Sequence, residues 1–416
     1  MTTIVCKVTE GKSLNRSLAA AKASKQDEFY TQYVDIQKEV EAYLEFDSDT
    51  FRDKVVYCNC DDPFESNFFK YFAANFNKLG LKKLVTTSYD GSPIAGAQLT
   101  FGEYNEGNGK RQKPKAIAVE IEEVTDVNGD GATGIEDVKL FLKQNPHTRT
   151  RLAEGGDFRS AECVELLKHA DIVVTNPPFS LFKEYVAQLV EHGKKFLIIA
   201  NKNAITYLEI FPLIKANKLW MGVTPMGVDM LFDLPPNVAK AMLESGKKGS
   251  NYRIVNGKVM GRSTSVWFTN LDHGRRHERL ECMTMADNLR FSKHKEIRGK
   301  GEYDRFDNFD AIEVPFSDAI PSDYDGIIGV PISFLDKYNP DQFEIVGNSD
   351  DGDMMTEIGV RALGQEFIDA YRARGGTGHY SPGMRMLGLL EPQPRVIYKR
   401  ILIRHRRTRR AGRTKK

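Results

Sequence analysis

Asp171-Ile-Val-Val-Thr-Asn-Pro-Pro-Phe179 is the stretch on which the fold turns. An acid, a short β-branched apolar run and then Asn176-Pro177-Pro178-Phe179 read as a buried parallel strand whose carboxyl end opens into a rigid loop. In an open α/β sheet that end is where ligands bind. Two consecutive prolines fix φ and remove two amide donors, so the loop backbone offers carbonyl acceptors, and Asn176 adds a side-chain carbonyl beside them. Such a group of acceptors suits an exocyclic amino group, with Phe179 as an aromatic face for a planar ring. Asn-Pro-Pro alone is often only a loop or a helix start, so the surroundings decide.

They supply a βαβ unit. Ser180 is placed to cap a helix in which Leu181, Phe182, Tyr185, Val186, Leu189 and Val190 form an apolar stripe at 3.6 spacing, and Gly193 ends it. Lys195-Phe-Leu-Ile-Ile-Ala200 is the next buried strand. A second unit lies upstream, where the strand Lys54-Val-Val-Tyr-Cys58 runs into Asn59-Cys60-Asp61-Asp62-Pro63. Asp62 as N-cap, Pro63 at the first helical position and Glu65 make a capping box, with Phe68, Phe72, Phe76 and Leu79 inward and Gly80 closing the helix. The strand Leu81 to Thr87 follows. The acidic loop could hold ribose hydroxyls or a ligand amine, or its aspartates could merely cap the helix.

The 416 residues suffice for two domains, or for one large domain with an appendage. A hydrophobic fraction of 41% and a charged fraction of 28% are those of a soluble globular chain. No apolar run reaches membrane-spanning length and no signal-peptide pattern opens the chain, so a cytoplasmic protein without a membrane partner is expected. The odd set Cys6, Cys58, Cys60, Cys163 and Cys282 lacks C-x-x-C spacing, which points to a reducing compartment and no zinc site. Net charge is only +2, yet Lys399 to Lys416 holds ten Lys or Arg and no acid, a segment that would attract phosphates or form a solvated tail.

Residues 1–24 read as a flexible N-terminal arm, and Asp27-Glu-Phe-Tyr-Thr-Gln-Tyr33 as an aromatic cluster before a helix. Residues 88–115 have no period, and Lys115 to Val124 alternates like a strand. Asp126-Val-Asn-Gly-Asp-Gly-Ala-Thr-Gly-Ile-Glu-Asp137 places Asp126, Asn128, Asp130 and Asp137 at positions one, three, five and twelve of a calcium-loop pattern, with Gly131 at six. A structural calcium is expected there, with a solvated Asp/Gly turn as the competing reading. Gly155-Gly-Asp-Phe158 puts an acid and an aromatic after a glycine pair, residues able to bond an adenine amine and stack on its ring. Beyond about residue 220 helix and strand no longer alternate. Val266-Trp-Phe-Thr-Asn270 is a strand, His273 to Arg279 a basic loop, and His273, His277 and His294 show no metal spacing. Basic and aromatic residues in this half suit a nucleic acid.

Taken together, Glu28-Phe-Tyr-Thr31, Val55 to Pro63, Gly156-Asp-Phe-Arg-Ser160, Asp171 to Phe182, Phe196 to Asn201 and Gly326-Ile-Ile-Gly-Val-Pro-Ile-Ser-Phe334 resemble the EcoRI-type adenine-specific DNA methyltransferase family, with the motif order of the gamma group. The resemblance implies an α/β, Rossmann-like S-adenosylmethionine-dependent methyltransferase sheet over residues 25–220, with the Asp126 loop an insertion at about 124–150. It further implies a target-recognition region with a basic tail over 221–416. Phe29, Tyr30 and Thr31 would hold the methionine end of the cofactor, and Asn59, Cys60, Asp61 and Asp62 its first loop. Asp157 would bond the cofactor adenine and Phe158 stack on it. Asn176, Pro177, Pro178 and Phe179 would form the catalytic motif, with Asn176 and the Pro177 carbonyl accepting the two N6 hydrogens of a flipped adenine and Phe179 stacked on the base. Transfer would then be a direct displacement needing neither metal nor covalent intermediate. The implied partner is double-stranded DNA with a short palindromic site such as GAATTC, methylated by a monomer beside a cognate restriction endonuclease. Cys60-Asp61-Asp62-Pro63 departs from the family's glycine-rich turn. Methylation of RNA or of a protein glutamine, or a DNA-binding module without catalysis, are the competing readings.

Overall fold

Short β-branched runs separated by amphipathic helices build a mixed sheet in the computed structural model, which describes residues 31–60, 66–90, 116–127, 134–145, 148–234, 239–240, 243–244, 252–397 and 399–406. The chain divides into two compact units, Met1–Asn201 with Val228–Leu271, and Lys202–Gly227 with Asp272–Lys416. The first unit is thus discontinuous, taking in a segment beyond residue 220.

In the first unit, helix α1 (Tyr33–Phe46) precedes strand β1 (Val55–Cys58), helix α2 (Asn67–Ala74) and strand β2 (Lys83–Thr87). Strand β3 (Ile117–Ile121), helix α3 (Ile135–Gln144), strand β4 (Arg149–Arg151) and helix α4 (Ala161–His169) follow. Strand β5 (Ile172–Thr175), helix α5 (Phe182–Glu191) and strand β6 (Lys195–Asn201) complete the quoted βαβ unit. A three-stranded sheet of β7 (Met230–Asp233), β8 (Tyr252–Val255) and β9 (Lys258–Ser263) precedes β10 (Ser265–Thr269).

These strands of the main sheet lie in the order β4-β3-β2-β1-β5-β6-β10. β2, β1, β5 and β6 are mutually parallel, while β3, β4 and β10 join antiparallel. From β1 the chain runs outward to β2 and later returns on the other side as β5, so the order reverses between β1 and β5. The crevice at their carboxyl ends is the ligand-binding position of such a sheet. β5 is buried at every residue, as a strand covered on both faces must be. Asp171 works at its opposite end, where Oδ2 accepts from the Val55 amide at 2.8 Å.

Two caps differ from the sequence expectation. Helix α2 is capped by Ser66, whose Oγ accepts from the Phe68 and Phe69 amides at 3.1 and 3.4 Å; Asp62 and Pro63 lie outside the described residues. Phe68, Phe72, Phe76 and Leu79 are buried as their spacing demands, and Gly80 at φ 61° ends the segment. Ser180 does not cap α5, because one 3-10 turn, Phe179–Leu181, comes first and the helix starts at Phe182. That turn lets the Pro-Pro segment, which has no amides to give, enter the helix.

The second unit is built on a sheet in the order β11 (Ala311–Glu313), β12 (Ile327–Pro331), β16 (Arg400–His405), β13 (Phe343–Asn348). A hairpin of β14 (Gly388–Leu389) and β15 (Arg395–Val396) and helices α6 (Met285–Phe291), α7 (Gly352–Glu357) and α8 (Gln365–Ala373) surround it. Part of the expected basic tail is therefore core. Ile401, Leu402 and Ile403 are buried in a strand paired on both sides, and its cations are answered by acids: Lys399 by Asp350 at 3.2 Å, Arg400 by Glu313 at 2.6 Å, Arg404 by Glu344 at 2.7 Å. The remainder, residues 407–416, lies outside the described residues.

Candidate active site at the sheet switch point

Four loops of the first unit meet around the carboxyl ends of β1, β2 and β5. After β1, Asn59 and Cys60 are buried, and Cys60 takes a left-handed φ of 62°, the conformation for which a glycine is usual. The chain thus makes the turn without the glycine, at a backbone strain of about 1–2 kcal/mol. Asn59 is fixed from both sides. Its Oδ1 accepts from Thr87 Oγ1 at 3.0 Å, at the end of β2, and its carbonyl accepts a short bond from the Thr175 hydroxyl, at the end of β5. Tyr57 OH joins Thr87 Oγ1 at 3.1 Å. Burial pushes the Tyr57 phenol well above its ordinary value and raises the Cys163 thiol, so this underlayer supplies neutral hydrogen bonds rather than charge.

The Gly155-Gly156 turn is sewn to the residues after β2. Asp90 N donates to the Gly155 carbonyl at 2.9 Å, and a Cβ on Gly156, at φ +72°, would stand 1.9 Å from the Ser88 carbonyl oxygen. This places Asp157, fully buried, next to the first loop. Arg159 grips it with its own amide and Nε on Oδ1, both at 2.9 Å, and Nη2 on Oδ2 at 2.8 Å. Three donors leave a carboxylate, with about four lone-pair positions, room for one more, on the Oδ2 side. Phe158 is also buried, edge-on to Tyr185 at 5.0 Å, with the Arg159 guanidinium 5.2 Å from its centroid. Gln188 of α5 donates to the Phe158 carbonyl at 3.1 Å, which ties this turn to the helix following the Asn-Pro-Pro-Phe loop.

In that loop Pro177, Pro178 and Phe179 are buried and Asn176 half-buried. The Pro178 carbonyl is used by the Leu181 amide at 2.9 Å, leaving the Pro177 carbonyl, beside Asn176, as the backbone acceptor of the loop. Asn176 Oδ1 is buried and has no hydrogen-bond partner among the described residues. An orphaned buried acceptor costs about 1–3 kcal/mol, and a binding partner that arrives with a ligand is one explanation for it. A donor-bearing ligand at this position fits the residues present.

Of the residues singled out in the sequence, Asn59, Cys60, Asp157, Phe158 and Asn176 to Phe179 come together here. Thr31 is held by Asn67 Nδ2 on its carbonyl at 2.8 Å, at the start of α2. Phe29, Tyr30, Asp61 and Asp62 lie outside the described residues, as do Asn128 and Asp130. Asp137 is spent on backbone, with Oδ1 on Val127 N at 2.9 Å and Oδ2 on Gly134 N at 2.8 Å, so the twelfth position of the expected calcium loop works as a helix-capping carboxylate. Among the described residues no cluster of His, Cys, Asp or Glu suits a metal, and the calcium expectation finds no support. Arg159, Thr175, Thr87 and Gln188 were not foreseen. Their signal was weak, since a Thr closing a strand and an Arg two residues past an Asp are common.

The family described as adenine-specific methyltransferase EcoRI matches residues 17–406. The chain is 42% identical over 338 residues to the Type II methyltransferase M.EcoRI of Escherichia coli, covering 80% of this chain and 89% of that one. It is 35% identical over 328 residues to M.MpnI of Mycoplasma pneumoniae (78% and 83% covered) and 36% over 327 residues to M.MgeORF184P of Mycoplasma genitalium (78% and 84%). No solved structure matches the chain. With this match spanning nearly its whole length, and 42% identity to M.EcoRI over most of both chains, the chain belongs to the EcoRI-type adenine-specific methyltransferase family.

Proposed function

We propose that Asn176 Oδ1 and the Pro177 carbonyl accept the two N6 hydrogens of an adenine turned out of duplex DNA, with Phe179 against its ring. They do so within the activity of the family, S-adenosylmethionine-dependent methylation of adenine in DNA, here as the methyltransferase of a type II restriction–modification system. The observation that carries the assignment is the buried, unpartnered Asn176 Oδ1 at the carboxyl end of β5.

An adenine amine is a poor nucleophile because its lone pair is delocalised into the ring. Two acceptors on its hydrogens draw the nitrogen towards tetrahedral geometry and return the lone pair to it. The proline pair helps by presenting carbonyls with no competing amide. S-adenosylmethionine, when bound, supplies a methyl group on a positively charged sulfur. Asp157 would hold its adenine amine through the remaining Oδ2 position, and Phe158, braced by Tyr185, would wall the ring. Asn59 and Cys60, with Asp61 and Asp62 after them in the chain, would line the next part of the crevice, and Phe29, Tyr30 and Thr31 would hold the methionine end. The second unit would carry target recognition, and an endonuclease of the same specificity would be the biological partner.

Asn176→Ala tests the assignment. S-adenosylmethionine should stabilise the variant as it does wild type, by about 2.7 kcal/mol at one hundred times Kd, while methyl transfer to DNA falls about 10²–10³-fold. Transfer near the wild-type rate would remove Asn176 from the chemistry. Lost cofactor binding would move it to the cofactor pocket.

A further inference from the structure

In the second unit several cations of the sheet and its surroundings are answered by acids, as with Arg400–Glu313, Arg404–Glu344, Lys399–Asp350 and Arg395–Asp304. One segment holds arginines and no acid of its own. From Ala370 to Leu390 the sequence has no Asp or Glu. Its arginines, Arg372, Arg374 and Arg385, are exposed, and no carboxylate among the described residues pairs with them.

The segment is nonetheless built, not frayed. Helix α8 ends through Gly375 at φ +82°, and the Gly376 amide turns back to the Tyr371 carbonyl at 3.1 Å. Tyr371 OH accepts from the Gly378 amide at 3.0 Å, and the Tyr371 and Tyr380 rings meet edge to face at 5.2 Å. A Cβ on Gly376 would lie 2.3 Å from the Tyr371 ring, and one on Gly378 2.4 Å from the Tyr380 ring, so the two rings pack directly over both glycines. The far foot is pinned to Leu363, whose carbonyl accepts from Gly383 N at 3.2 Å and whose amide donates to the Met384 carbonyl at 2.8 Å.

We propose that this loop, Arg372 to Arg385, is a clamp on the phosphate backbone of duplex DNA. Guanidinium groups match phosphate in a two-pronged geometry, and a loop fastened at both feet sets their spacing before binding, which spares ordering entropy. Phosphate contacts of this kind fix the register of a protein on DNA without reading its bases. The assignment rests on the reading that the chain acts on DNA.

The test measures binding of the full chain to a duplex with its target site and to one without it, across a salt series. Replacing the three arginines by glutamine should lower the slope of log K against log salt by about 2–3, near 0.9 for each lost contact, on both duplexes alike. S-adenosylmethionine stabilisation should not change. Arginine-to-lysine replacements should keep the wild-type slope. Should the triple variant not melt cooperatively, Arg372→Gln, Arg374→Gln and Arg385→Gln taken singly should each lower the slope by about 0.9. An unchanged slope, or a loss confined to the target-bearing duplex, would overturn the proposal. A wild-type chain that methylates no DNA would overturn the functional reading instead.

Discussion

Gly156→Ala tests how the fold holds the cofactor end of the site. The position combines two demands, a left-handed φ of +72° and a place for Cβ only 1.9 Å from the Ser88 carbonyl oxygen and 3.0 Å from Ala116 Cβ. The backbone term for a residue with a Cβ is about 1–2 kcal/mol. Van der Waals contact needs more than 3 Å, so the turn and the end of β2 must part by more than about 1 Å, an overpacking term of about 1–3 kcal/mol. The sum is about 2–5 kcal/mol, and the displaced segment carries Asp157. A shift of that size should weaken S-adenosylmethionine about 10–100-fold. Gly193→Ala separates the two terms, because Gly193 has a similar φ of +62° with nothing within 4 Å of its Cβ position. It should lose only the backbone term and bind cofactor as wild type does. Thermal unfolding and cofactor titration of both variants provide the readout. Equal losses of stability, or unchanged cofactor affinity in Gly156→Ala, would refute the close approach as the reason for the glycine.

Two further outcomes concern the second unit. Arg400→Met leaves Glu313, which is 3% exposed, without its main partner, and should lose about 3–5 kcal/mol. Burial already raises the Glu313 pKa, so the folded variant holds the proton to higher pH than the unfolded chain does. Its stability should therefore fall as pH rises out of the ordinary glutamate range, and the deficit should shrink in acid; denaturant melts across pH check both. His273 is buried, with Nε2 on the Met221 carbonyl at 3.0 Å, and burial lowers its pKa to about 4. The unfolded chain takes up that proton near pH 6.5 and the folded chain near 4, so stability should fall across this window, by up to about 3 kcal/mol. His273→Gln should flatten that part of the pH profile, and an unaltered profile would place the acid sensitivity elsewhere.

Much of the candidate site is legible because its residues are local in the chain. Asn176 to Phe179 close a strand whose apolar run is unambiguous, and the stripe from Phe182 to Leu189 fixes the helix behind it. Strand direction was not legible: Val266-Trp-Phe reads the same whether β10 lies parallel or antiparallel to β6. The helix start is expected at Asp62 because Asp62, Pro63 and Glu65 match a capping-box pattern, whereas the observed N-cap is Ser66, a residue whose hydroxyl serves as well. Charge hid β16, since Ile401 to Ile403 sit between arginines whose neutralising acids, Glu313 and Glu344, are distant in sequence. Cys60 stands where the family pattern has a glycine, and it takes the positive φ that glycine favours.

The central claim, that Asn176 presents its oxygen to an adenine amine, is tested most directly by modification-sensitive sequencing of DNA from cells expressing the wild-type chain and Asn176→Ala. N6-methyladenine at one short recurrent site with the wild type, absent with Asn176→Ala at equal protein level, is the expected result. The same methylated sites in both would contradict it.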